Sequence, residues 1–299
     1  MNKPLRKALS CLLCLAMLFS LAVPALAVRT DDFFEEVVLD PALDLTDNPV
    51  VDAELLGATD ESAEDEGYEI YPTPQSIVYN GDVVTLPATM KVVYGEGIDE
   101  YTVARAEDAF RQAGITLNPS ASSSLTLKVS IKAADDGVTA GTANLFEKNG
   151  AYKLTVDETG VTVVGKDTDA AFYGLTTMKL ILKQVKNRQV KALTVEDFAD
   201  VPFRGFIEGY YGNPWSVEDR AELMRFGGDY KMNIYFYAPK DDPKHNSKWR
   251  ELYTQEELDT LIKPLAEAGN QSKCYYGYAL HPFWADGIHY GNDAKYEED

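Results

Sequence analysis

From Phe203 onward the chain alternates short apolar strands with capped helices, and the polar side chains gather in the loops that follow the strands. Arg204-Gly205-Phe206-Ile207-Glu208 reads as a strand that runs into Gly209-Tyr210-Tyr211-Gly212-Asn213-Pro214-Trp215. Ser216 with Asp219 then makes a capping box, and Val217, Ala221 and Met224 continue one helical face to Gly227-Gly228. Met232 to Ala238 reads as a second strand, followed by Pro239-Lys240-Asp241-Asp242. Thr254 and Glu257 open another helix, which Pro264 should kink or shorten. Cys274 to Leu280 reads as a third strand, ending at His281-Pro282. Glycine, aromatic, lysine and carboxylate residues after successive strands are the pattern of the carboxyl edge of a (β/α)8 barrel, where such enzymes build their sites.

Residues 71–197 follow a different pattern. Tyr71-Pro72-Thr73-Pro74 is an extended entry. A helix is expected from about Asp99 to Ala113, with Val103, Ala106 and Phe110 on one face. Leu125, Leu127, Val129 and Ile131 alternate as a half-buried strand. Tyr152 to Val156 and Val161 to Val164 flank Asp157-Glu158-Thr159-Gly160 as a hairpin. A helix from about Asp169 to Lys186 carries Ala171, Leu175, Met178 and Leu182 on one stripe. These elements predict a small α+β domain.

Ahead of it, Lys3, Arg6 and Lys7, the apolar run from Ala8 to Val23, and Ala25-Leu26-Ala27 form a secretory leader, residues 1–27, and the run is short for a membrane span. Cleavage after Ala27 removes Cys11 and Cys14 and leaves Cys274 without a disulfide partner. Residues 28–70 form an acidic spacer: fourteen Asp or Glu stand against Arg29 alone between Arg29 and Gly67. The excess of acid, within a net charge of −20, argues against nucleic acid as a partner. The cluster Lys179, Lys183, Lys186, Arg188 and Lys191 is most simply the wet face and tail of a helix.

The two motifs at Arg204–Trp215 and Tyr237–Asp242 together resemble glycoside hydrolase family 84, the β-N-acetylglucosaminidases that include protein O-GlcNAc hydrolases and bacterial hyaluronidase-like enzymes. The resemblance is strong from about Pro202 to Asp242 and looser to about Leu280. Asp169-Ala170-Ala171-Phe172-Tyr173-Gly174-Leu175 and the order of elements before it resemble the accessory domain that precedes the barrel in many hexosaminidases. The resemblance implies a hexosaminidase N-terminal-like domain over residues 71–197 and the first part of a (β/α)8 barrel over residues 203–299. Those 97 residues hold about three βα units, whereas a closed barrel needs about 250 residues.

Removal of terminal β-linked N-acetylglucosamine, with retention and with assistance from the substrate's own acetamide, is the activity implied. So is an N-acetylglucosamine-containing glycan or glycoprotein as partner. No metal or organic cofactor is implied. Gly209, Tyr211 and Lys240 would contact the sugar. The family's catalytic aspartate pair follows the fourth barrel strand, so the chain is expected to stop short of it, as an inactive fragment. Asp241 and Asp242 are assigned to loop structure, and a salt bridge from Lys240 to either of them is the structural alternative to sugar binding. Phe283 departs from the small turn usual after the third strand, where His281, Trp284, Asp286 and His289 would line the edge. Asp286, His289 and Asp293 match no metal-ligand spacing. A secreted glycan-binding or cell-envelope module without catalysis is the alternative, and exposed aromatics on the small domain would favour it.

Overall fold

The structure, a computed structural model, describes residues 67–132, 142–209 and 214–281. The leader, most of the acidic spacer, Tyr211, Gly212, Trp284, Asp286 and His289 lie outside the described residues.

The first layer is a seven-stranded mixed sheet. Its strands are β1 (Ser76–Thr85), β2 (Thr89–Tyr94), β3 (Thr116–Asn118), β4 (Thr126–Ile131), β5 (Asn149–Asp157), β6 (Gly160–Gly165) and β7 (Gln189–Ala199), in the order β1-β7-β5-β6-β4-β2-β3. The hairpin expected at Asp157–Gly160 joins β5 to β6, and Asp157 holds the turn by accepting from the Thr159 amide at 2.8 Å. Beyond it, β6, β4, β2 and β3 run parallel.

Two helices pack on this sheet and on each other: α1 (Glu100–Gln112), capped by Asp99, and α2 (Thr168–Gln184), capped by Asp167. The stripe Ala171, Leu175, Met178 and Leu182 is buried as its period predicts. On α1 the buried face is Thr102, Arg105, Ala106, Ala109 and Phe110, so it is rotated slightly from the expected one, and Val103 is only half-buried. With Leu127, Val129, Leu154, Val161, Val163 and Leu193 these side chains make one hydrophobic core.

The second layer is a three-stranded parallel sheet, β10-β9-β8, of β8 (Gly205–Glu208), β9 (Ile234–Tyr237) and β10 (Tyr275–Tyr278). All three are four residues long, so β9 and β10 are shorter than the expected strands Met232–Ala238 and Cys274–Leu280. Helix α3 (Val217–Asp229) begins at the Ser216–Asp219 capping box and runs through Gly227-Gly228 rather than stopping there. A Cβ on Gly228 would collide with the Ser272 carbonyl, so the glycine lets α3 lie close against the next helix.

That next helix opens at the Thr254–Glu257 box, passes Leu258–Ile262 in π geometry and continues as α4 (Lys263–Ser272). Pro264 thereby falls in the first turn of α4, where the missing N–H leaves no hydrogen bond unmade, so the proline is absorbed by a π turn. Ala221, Met224, Tyr235, Leu265, Ala268 and Cys274 form a second, smaller core. Among the described residues no helix is long and apolar enough to cross a membrane.

Buried charge ties the layers together. Lys179, expected on a wet face, is 8% exposed and donates to Asp229 at 3.0 Å, with Asp108 also at 3.0 Å. Arg105 pairs with the same Asp229. Lys231 reaches Asp197 and the Tyr152 hydroxyl, each at 2.9 Å. Lys273 meets Asp99, and Asp169 at 3.0 Å, and the Tyr275 hydroxyl donates to Asp169 at 2.8 Å.

Burial alone would raise the Asp229 carboxyl, but Arg105 and Lys179 outweigh it and hold it below its usual value; Lys273 does the same for Asp99 and Lys179 for Asp108. The stability these carboxylates contribute is fully present above the unfolded carboxylate value, about pH 4, and is lost as pH falls through their lower folded values. Thermal melts should therefore drop steeply below about pH 4, and Asp229→Asn should melt lower at neutral pH with a shallower acid fall. Lys231→Met, which strands a buried Asp197, should cost about 3–5 kcal/mol in urea unfolding. A melting profile of Asp229→Asn parallel to that of the unaltered protein at all pH values would mean that the ion pairs do not join the layers.

Candidate functional site

Gly209 directly follows β8 and Lys240 follows β9 by three residues, so the two stand at the carboxyl ends of neighbouring parallel strands. His281 lies three residues past β10 at the same edge. Tyr211 lies outside the described residues.

What sets the edge is a pair that sequence reasoning passed over. By strand alternation Glu208 shares the face of Phe206, which α3 covers; it is 2% exposed. A carboxylate there needs a cation from the helix. Arg220, on the α3 face with Ala221 and Met224, supplies it in a two-point bond, Nε to Oε2 at 2.9 Å and Nη2 to Oε1 at 2.8 Å. The Tyr235 hydroxyl donates to the same carboxylate, and the Arg220 guanidinium lies 5.1 Å from the Tyr237 ring centre. Burial would lower the guanidinium's proton affinity, but Glu208 more than reverses this and keeps Arg220 charged. The residue that begins the glycine loop is thus bolted to the first turn of α3. Among the described residues nothing lies within 4 Å of where a Cβ on Gly209 would point, and its φ lies outside the left-handed region.

The Lys240 loop is held from several sides. Asp242 accepts from the hydroxyls of Tyr237 at 3.0 Å and Tyr253 at 2.6 Å and from the Lys244 amide at 2.8 Å. Burial first and Asp242 second push both phenols above their ordinary range, so they remain donors. Asp242 is therefore occupied by tyrosines rather than by Lys240. Among the described residues no hydrogen bond or ion pair holds the Lys240 ammonium, and its side chain is half-buried. Burial first, then the charges of Lys240 and His245, lower the proton affinity of His281, whose ring centre lies 6.1 Å from that of His245. Cys274 is buried and its thiol is pushed up to about 12, which makes it a core residue and not a nucleophile. No group of three or more His, Cys, Asp or Glu able to hold a metal occurs among the described residues.

With this arrangement in view, two family models divide the chain. Residues 55–198 match domain 2 of glycosyl hydrolase family 20, and residues 204–299 match the β-N-acetylglucosaminidase model. Both parts of the chain are thus similar to hexosaminidases. Over 78 residues it is 44% identical to the protein O-GlcNAcases of Rattus norvegicus and Mus musculus, an alignment that spans 26% of this chain and 8% of each of those proteins. Among solved structures, CpGH84D is 40% identical with a TM-score of 0.70 over 79% of this chain and 41% of that one. CpGH84B is 30% identical with a TM-score of 0.63 over 72% and 37%. A family 20 enzyme from Vibrio harveyi, solved with N-acetylglucosamine, shares the fold at 16% identity and a TM-score of 0.51, over 70% and 35%. The chain is a relative of the family 84 β-N-acetylglucosaminidases, which are glycosidases, and it spans well under half the length of these relatives.

If Glu208 and Arg220 are the bolt described, Glu208→Gln should destabilise by about 3–5 kcal/mol, because it leaves a guanidinium buried without its counter-charge. Glu208→Gln with Arg220→Met should cost less than the two single changes added together. Urea unfolding of the four proteins measures this; strict additivity would show that the two side chains do not share a bond.

Proposed function

We propose that the chain is the amino-terminal part of a secreted, retaining exo-β-N-acetylglucosaminidase. In this reading residues 1–27 are a cleaved leader, 28–70 a spacer, 71–197 the accessory domain and 203–299 the first three βα units of a (β/α)8 barrel. The observation that carries it is the position of Gly209 and Lys240 at the carboxyl ends of adjacent parallel strands, within the segment that matches the β-N-acetylglucosaminidase model. Further support comes from the sheet face turned away from α3 and α4. It carries Ile207, which is 66% exposed, with Ile234 and Phe236, and closing a barrel would bury such a face.

Lys240 offers three donors and a point charge to sugar hydroxyls. Gly209, without a side chain, admits the ring close to the backbone, and Tyr211 forms part of the wall. The reaction then runs by substrate assistance. The acetamide carbonyl oxygen attacks the anomeric carbon as the glycosidic bond breaks. One aspartate, outside residues 1–299, polarises the acetamide while its neighbour protonates the leaving oxygen. Water later opens the resulting ring at the anomeric carbon and restores the acetamide. Asp241 and Asp242 take no part in proton transfer. The substrate is a glycan or glycoprotein that ends in β-linked N-acetylglucosamine. Adhesion by the small domain without catalysis would call for exposed aromatics there, and among its described residues Tyr71 is the one exposed aromatic.

The test is hydrolysis of an aryl N-acetyl-β-glucosaminide by the full-length enzyme. Lys240→Ala should lower kcat/KM by the value of hydrogen bonds to a charged group, about 1.5–3 kcal/mol, with the fold intact. Asp241→Asn and Asp242→Asn should each keep the acid limb of the kcat/KM profile. Loss of that limb in either variant would move the catalytic pair into this loop.

A further inference from the structure

We infer that His245 is a positioning residue for Lys240, stapling the loop after β9 to the end of β10; the inference rests on the sugar-binding role proposed for Lys240. Three successive residues carry the staple. The Lys244 carbonyl accepts from the Tyr278 hydroxyl at 2.7 Å. His245 Nδ1 lies 2.6 Å from the Ala279 carbonyl oxygen, and the His281 amide donates back to the His245 carbonyl at 2.7 Å. Asn246 Nδ2 then donates to the carbonyl of Lys240 itself at 3.0 Å.

The central bond fixes the imidazole. A carbonyl oxygen can only accept, so Nδ1 carries the proton and donates. His245 is 3% exposed, and its Nε2 is buried with no hydrogen-bond partner among the described residues. The ring's polar interaction within the described protein is therefore the one bond to Ala279, and that bond crosses from one strand's loop to the next strand's end.

Lys240 depends on it. With no partner for its ammonium among the described residues, the lysine is placed by its backbone, and that backbone is held by Asn246, the residue after His245. Asp242 anchors the near side of the loop through Tyr237 and Tyr253. Between Asp242 and Asn246 the loop is fastened to β10 through Lys244 and His245.

Two measurements test this. In the full-length enzyme, kinetics on an aryl N-acetyl-β-glucosaminide should show His245→Leu raising KM about ten-fold, with kcat less affected, as loss of one buried hydrogen bond allows. His245→Asn, whose amide can replace Nδ1–H, should restore KM. In a Lys240→Ala background, His245→Leu should have no further effect. An unchanged KM in His245→Leu, or effects that simply multiply in the double variant, overturns the inference. The second measurement needs no activity: the rate of Lys240 acetylation by acetic anhydride, read by mass spectrometry, with the buried Lys231 as a check that the fold persists. His245→Leu should change the Lys240 rate several-fold and His245→Asn should not; equal rates in all three proteins overturn the inference. An inactive unaltered enzyme would remove the proposed activity, and the labelling would still decide the staple.

Discussion

Two lysines in left-handed turns join the layers of this protein, and the placement of its candidate site follows from them. Lys231 and Lys273 stand at φ 59° and 58°, each just after a helix of the second layer and just before a strand. A side chain other than glycine in this region costs of order 1–3 kcal/mol, and persists where the surroundings over-determine it. Here the surroundings are Asp197 with Tyr152 for Lys231, and Asp99 with Asp169 for Lys273. Burial pulls the Lys231 ammonium below its usual proton affinity, and Asp197 opposes that loss. Removing Asp197, or Asp99 and Asp169 together, would leave a cation in the interior of the junction, so the pairing specifies how the second layer sits on the first more than it adds net stability.

The consequence is carried along the strands. Lys231 precedes β9 by three residues and Lys273 precedes β10 by two, so the first layer grips the amino ends of both. Each strand is four residues long, about 13 Å from end to end. Over that distance a hydrogen-bonded strand has little freedom to shift register, and its far end is fixed by its near one. The carboxyl ends then need only local fastening. Glu208 is bolted to Arg220, Asp242 sits among tyrosine hydroxyls, and the loop after β9 is tied to β10. A domain that holds the amino ends of the strands thus acts on their carboxyl edge through the backbone.

Much of this was legible in local pattern. The capping boxes at Ser216–Asp219 and Thr254–Glu257 start their helices, and the stripe from Ala171 to Leu182 is buried. These signals depend on neighbours within one or two turns. What escaped depends on partners far along the chain. Lys179 looked like a wet-face lysine because its acid, Asp229, is fifty residues away. The pairing of β1 with β7 joins Ser76 to Glu196 and leaves no local trace. Glu208 was readable in principle, as a charge on the strand face shared with Phe206, but only once α3 was known to cover that face.

Asp242 shows why a motif can mislead where geometry does not. Adjacent carboxylates invite assignment as an acid and a base, since environments that differ can push two such groups apart in proton affinity. A general acid has to arrive protonated and give its proton to a leaving group. Asp242 instead faces two phenols and an amide, and all three donate to it. Swinging the carboxyl out to a leaving group would break those three bonds, and the loop that carries Lys240 would lose its anchor with them.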